Sequence, residues 1–205
     1  MCTLIRTEGS NPSLSANFDW LLKENMNKVI LYIAASLDLF IADKQGSVDW
    51  LPQPENAAED TEDLFGFKAL MQRIGLIVMG SHSYQQILGF GEWAWLDKQT
   101  YVFTSQNLST ELPCVTFVRD KPTAFMETIK LTKPNTDIWL LGGAELAHSF
   151  AHDNLIDEVI LTVIPVNLGD GIKLKLDWND FTLDSEKPCV DGMVQRTYRR
   201  KNDND

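Results

Sequence analysis

Six runs rich in apolar and β-branched residues recur along the chain: VILYIAAS at 29–36, GLIVMG at 75–80, TYVFTS at 100–105, CVTFV at 114–118, DIWLL at 137–141 and LIDEVILTVIPV at 155–166. Strands that are apolar at consecutive positions are covered on both faces, which is the condition of a parallel sheet. Between several of these runs lie segments of helical character, SHSYQQIL, KPTAFMETIKL and GAELAHSFAHDN. Alternating strand and helix in this order predicts an α/β fold with a mostly parallel central sheet and helices on both faces. The end of the chain is different. DFTLDSEKP and MVQRTYRR flank Asp191-Gly192, a hairpin signal, so an antiparallel C-terminal hairpin is expected.

The rest of the chain is placed around this pattern. Residues 1–26 are mixed and polar and read as an N-terminal extension, with 27–205 as one domain. After the first strand comes a long connection, LDLFIADKQGSVDWLPQP, in which Gly46, Pro52 and Pro54 rule out one continuous element. Long ordered connections in compact domains are usually functional. Residues 57–74 then read as a helix with acidic residues in its first turns, where the helix dipole favours them.

Charge and cysteines narrow the partners. The formal net charge is −11, from 29 acidic against 18 basic residues, which argues against nucleic acid and against an anionic membrane surface. Cys2, Cys114 and Cys189 are odd in number and far apart, so neither a disulfide framework nor a cysteine-rich zinc site is expected. The most apolar stretch, 29–42, contains Asp38 and is too short to span a bilayer. With no secretory signal legible at the start, the expected compartment is cytoplasmic.

In a parallel sheet, ligands meet the carboxyl ends of the strands, and three such ends carry small or polar residues. Gly142 and Gly143, lacking Cβ, would let a diphosphate lie against the backbone at a helix start, or would simply make a tight turn. Gly80, Ser81, His82 and Ser83 combine backbone access with hydroxyls and an imidazole, and either serine is a helix cap in the plainer reading. Thr104, Ser105 and Gln106 suit a ribose or adenine pocket, or an ordinary polar loop. His148 and His152 have the i, i+4 spacing of a metal pair, but no third ligand accompanies them and no metal is expected. Asp38, Asp49 and Trp50 in the long connection are candidates for orienting a substrate or relaying a proton.

Taken in order, AASLDLFIA, GSVDWL, VMGSHSY, GEW, YVFTS, DIWLLGGAEL and LIDEVILTVIPVNLGDGIKL resemble the reductase domain at the C-terminus of the riboflavin-pathway bifunctional deaminase–reductase. The similarity is to the stand-alone branch of that family and covers about Lys28 to Arg200. It implies a dihydrofolate-reductase-like fold, reduction of a small polar substrate, and NADPH in a cleft at the strand ends. A non-catalytic nucleotide-binding relative is the alternative. Carried over by position, the resemblance places Gly142, Gly143, Ala144, Glu145 and Leu146 at the diphosphate. It places Gly80, Ser81, His82 and Ser83 on the adenosine phosphate side, and Thr104 and Ser105 near the adenine ribose. Ala35, Leu37, Asp38 and Ile41 would border the nicotinamide, with Asp38 and Trp50 towards the substrate and Asp38 the candidate catalytic residue. The chain departs from the family at Ser81, where a basic residue is usual, which admits NADH beside NADPH. It also departs at Leu39, where glycine is usual, and at Lys175. No zinc deaminase motif can be built from its cysteines. The family often forms dimers, and a homodimer is the expected assembly.

Overall fold

The computed structural model describes residues 27–52, 63 and 65–201. The proposed extension, 1–26, and residues 57–62 and 64 of the helix expected at 57–74 lie outside the described residues. In chain order the elements are β1 (Val29–Ser36), β2 (Phe40–Ala42), α1 (Phe67–Arg73), β3 (Ile74–Gly80), α2 (Ser81–Gly89), β4 (Gln99–Phe103) and β5 (Val115–Val118). They continue as α3 (Pro122–Thr132), β6 (Asp137–Gly142), α4 (Ala144–His152), β7 (Glu158–Ile164), β8 (Ile172–Lys173), β9 (Phe181–Pro188) and β10 (Val194–Arg200).

Eight strands form one sheet in the order β5-β4-β3-β6-β1-β7-β10-β9. Every pairing from β5 across to β7 is parallel, and β7–β10 and β10–β9 are antiparallel. This is the mostly parallel sheet with an antiparallel hairpin that the apolar runs predict. Because side chains alternate across a strand, each central strand feeds two cores. Leu31, Leu76, Ile138, Leu140 and Leu161 face one core, which α3 closes with Phe125, Met126 and Ile129 and α4 with Ala147 and Phe150. Ile30, Ile77, Met79 and Trp139 face the other, under Leu70 of α1 and Tyr84 of α2. Each fully buried aliphatic side chain contributes about 1.5–3 kcal/mol relative to exposure. That two-sided burial fixes where the strands end, and so fixes the edge on which a ligand would lie.

Two details differ from the expectation. The helix before β3 begins only at Phe67, after Gly66 in the left-handed region and without an acidic residue in its first turn, and it stops at Arg73, with Ile74 already in the strand. The long connection also contains β2, which pairs antiparallel with β8 in a separate two-stranded ribbon.

Candidate functional site

The sheet is open at one place. β1 pairs with β6 only from Val29↔Ile138 to Leu31↔Leu140. It stays with β7 as far as Ser36↔Ile164, while β6 keeps to β3 up to Met79↔Gly142. From Tyr32 onward β1 and β6 therefore part, and a gap opens between them towards the carboxyl edge. Along a strand, alternate residues turn their N–H and C=O to opposite neighbours. The Lys28 carbonyl accepts the Ile138 N–H at 2.8 Å and the Tyr32 carbonyl accepts the Trp139 Nε1–H at 3.2 Å, so the even-numbered residues of β1 face β6. Ala34 is next in that series and turns its amide and carbonyl to the gap. Backbone groups at such a place call for a partner.

Beside the gap is a corner made of glycines. Gly80 ends β3 and is the N-cap of α2, and Gly143 follows β6 and is the N-cap of α4. The Gly142–Gly143 peptide is cis, and Gly142 has φ +114. A Cβ on Gly80 would lie 3.8 Å from both Gly142 O and Gly143 N, and one on Gly143 would lie 3.5 Å from Ser83 Oγ. The starts of the two helices are thus side by side. Neither is capped by a side chain, so the expectation that Ser81 or Ser83 caps α2 is corrected: Gly80 holds that place, and Ser81 is already helical. The first turns of α2 and α4, whose N–H groups have no partner within their own helices, thus start beside one bare patch of backbone, an arrangement suited to an anion.

The other expected residues fall around this corner. Gly80 is in register with Phe103, so Thr104 and Ser105 follow on the adjacent strand. Thr104 donates its N–H to Val118 O at 3.0 Å and is half-buried, whereas Ser105 and His82 are exposed. Arg119, which the sequence reading passed over, directly follows β5 and bonds the Asn107 side chain. Ala144 opens α4 with Glu145 exposed in its first turn, and Leu146 packs against the core. Across the gap, a Cβ on Gly142 would lie 3.6 Å from Ile33 Cδ1, so β1 meets the glycine corner there. Ala35 is fully buried, Ile41 packs against the core, and Leu37 is 55% exposed. Leu39 has φ 66, the left-handed region that favours glycine. Trp50 is half-buried, and its Nε1–H is enclosed without an acceptor among the described residues.

Asp38 is held firmly. Its Oδ1 accepts the Ser36 hydroxyl at 2.6 Å and the Leu168 N–H at 3.1 Å, and its Oδ2 accepts the Gly169 N–H at 2.7 Å. The Ser36 hydroxyl above all, then the two amides, bring its pKa down from 3.8 to about 2, against an opposing effect of burial. A carboxylate whose folded pKa is depressed stabilises the fold above its unfolded pKa and loses that contribution as pH falls towards the folded value. Urea midpoints measured from pH 4.5 down to about 2 are therefore expected to fall more steeply for the parent than for Asp38→Asn. Parallel profiles would show that the carboxylate does not hold the two loops together.

His148 Nδ1 lies 3.2 Å from the Lys175 carbonyl and His152 bonds Asp153. Among the described residues no group of three or more His, Cys, Asp or Glu side chains is placed to hold a metal, and no helix is long and apolar enough to cross a membrane.

A parallel sheet parted between two central strands, with bare helix starts at its carboxyl edge, defines a dihydrofolate-reductase-like fold of the reductase type. The RibD C-terminal domain family matches residues 77–181, and the chain belongs to that family. It is 38% identical over 148 residues to the uncharacterized protein YwjB of Bacillus subtilis, covering 72% of this chain and 82% of that protein. The crystal structure of a protein assigned to riboflavin biosynthesis in Shewanella sp. PV-4 superposes with a TM-score of 0.73 at 30% identity, over 85% of this chain and 99% of the other. Two more distant structures share the fold. The deaminase/5-amino-6-(5-phosphoribosylamino)uracil reductase of Thermotoga maritima gives a TM-score of 0.62 at 15% identity, over 90% of this chain and 59% of that one. Dihydrofolate reductase of Enterococcus faecalis, complexed with NADP(H), gives 0.59 at 17% identity, over 85% and 97%.

Proposed function

We propose that the chain is an NADPH-dependent reductase of a small polar substrate. The observation that carries this is the gap between β1 and β6, opening directly beside the Gly80–Gly142–Gly143 corner. The corner offers amides and helix starts to a diphosphate, and the gap offers the amide and carbonyl of Ala34 to a flat polar ring. Reduced nicotinamide, when bound, supplies the hydride, and the protein supplies binding and orientation.

Ala144, Glu145 and Leu146 at the start of α4 would border the diphosphate. Ser81, His82 and Ser83 would border the adenosine phosphate side, and Thr104 and Ser105 the ribose. Asp38 orients rather than protonates in this reading: a group with a pKa of about 2 is ionised at neutral pH and is a poor donor. Water reaching the gap completes the proton balance.

The test is titration of the protein's tryptophan fluorescence with NADPH and with NADH. Saturable quenching is expected, and a flat response to both would sink the proposal. Ser81→Arg adds a bidentate phosphate ligand at the start of α2. It is expected to tighten NADPH about tenfold, corresponding to ~1.4 kcal/mol, and to leave NADH nearly unchanged. Equal shifts for both cofactors would mean that Ser81 does not face the 2′-phosphate.

A further inference from the structure

We propose that Gln195 is a positioning residue on the substrate side of the gap, acting through the hydroxyl of Thr162. This rests on the reductase reading and names a part of the site that neither the sequence motifs nor the family match singles out.

One row of residues crosses the sheet: Ala34 is in register with Thr162, and Thr162 with Gln195. Residues opposite one another on adjacent strands share a face, so the three side chains lie together, on the face that α1 covers. Ala34 belongs to this row, and its backbone also turns to the gap. Ala34 remains only half-buried although its strand is interior to the sheet.

The direction of the Gln195 amide is fixed by its neighbours. Its nitrogen lies 2.8 Å from the Phe65 carbonyl, an acceptor only, so Nε2 and not Oε1 must face it. The same nitrogen donates to Thr162 Oγ1 at 3.2 Å. The Tyr32 hydroxyl donates to the Phe65 carbonyl as well, at 3.1 Å, so the chain entering α1 is held from two sides.

The consequence falls on Thr162, which is 7% exposed. Its oxygen accepts from Gln195, so its own hydrogen must point elsewhere, and a buried hydroxyl hydrogen without an acceptor is costly. The open neighbour in its row is Ala34, beside the gap. Gln195 thereby turns Thr162 into a donor of fixed direction. The matching ligand atom is an acceptor, a ring carbonyl or ring nitrogen, on a flat heterocycle lying over Ala34.

Gln195→Glu reverses this polarity. A carboxylate cannot donate to the Phe65 carbonyl, and it draws the Thr162 hydrogen to itself. Thr162→Val removes the hydroxyl with little change of shape, and Thr162→Ser keeps it.

The experiment titrates NADPH-loaded parent and variants with 7,8-dihydrofolate and with 5-aminouracil by calorimetry. NADPH affinity and thermal midpoint are measured alongside. At least one ring is expected to bind the parent. Gln195→Glu and Thr162→Val should each weaken it about tenfold, while NADPH binding changes by less than about twofold. Thr162→Ser should retain the ring affinity, and the double variant should be no weaker than either single one, because both act on one hydrogen bond. A ring affinity indifferent to Gln195→Glu and Thr162→Val, or no binding of either ring by the NADPH-loaded parent, would overturn this inference alone. Failure of the parent to bind NADPH would overturn the reductase reading and this inference with it.

Discussion

Gly142→Ala is expected to weaken NADPH binding by tenfold or more while the protein still folds. Gly142 has φ +114, a conformation that side chains with a Cβ rarely adopt. Holding alanine there costs about 1–3 kcal/mol. The added methyl would lie 3.6 Å from Ile33 Cδ1, at the mouth of the gap, so contact alone does not forbid it. The backbone strain does the damage. Relaxing it turns the Gly142–Gly143 peptide and re-aims the first-turn amides of α4, which are the groups assigned to the diphosphate. Gly80→Ala is the natural control. Gly80 has φ −82, and a Cβ there would meet Gly142 and Gly143 at an ordinary 3.8 Å. Fluorescence titration with thermal unfolding separates the two. Gly142→Ala should lose affinity and some stability, and Gly80→Ala should keep its stability. Parental affinity in Gly142→Ala would move the phosphate site away from this corner.

Gly171→Ala is expected to give the second large effect, on the ribbon of β2 and β8. Gly171 has φ +148, and a Cβ there would run into the Ala42 carbonyl oxygen and lie 3.2 Å from Asp43 Cα. Both are backbone atoms, which cannot step aside as the end of a flexible side chain can. The ribbon must separate locally, at a cost of about 1–3 kcal/mol. The Leu174 N–H, which donates to the Leu39 carbonyl at 2.9 Å, should then exchange with solvent faster by tenfold or more. The Leu168 and Gly169 amides bound to Asp38 lie just upstream and should follow. Unchanged exchange at Leu174 would mean that the ribbon does not depend on close approach at Gly171.

These two glycines also show what a linear reading can and cannot reach. Gly142 stands between an apolar run and a helical segment, so local chemistry marks it. The sheet, its hairpin and the glycine corner are legible for the same reason: each is written in consecutive residues. Gly171 has no such context, because the atom it must avoid belongs to Ala42. The ribbon it serves pairs Phe40–Ala42 with Ile172–Lys173, segments too short to show a period. Asp38 was legible as a loop carboxylate, but its amide partners lie at Leu168 and Gly169. Ser81 and Ser83 satisfy the composition of a helix cap, yet the strand runs on until Gly80 takes that position. Gln195 looks like the polar member of an alternating strand, and only the register with Thr162 and Ala34 gives it meaning.

The place of β1 in the sheet has a consequence for how the chain is made. β1, the first strand among the described residues, lies between β6 and β7, and its contacts span 107 residues to Trp139 and 128 to Asp157. Its eight residues, VILYIAAS, carry no charge. Until those late partners are synthesised, they form an adhesive apolar segment with nowhere to pair, the situation in which nascent chains stick to one another. The strand that borders the gap beside the glycine corner is thus also one whose partners are made late, and slow translation before residue 164 would expose it longest.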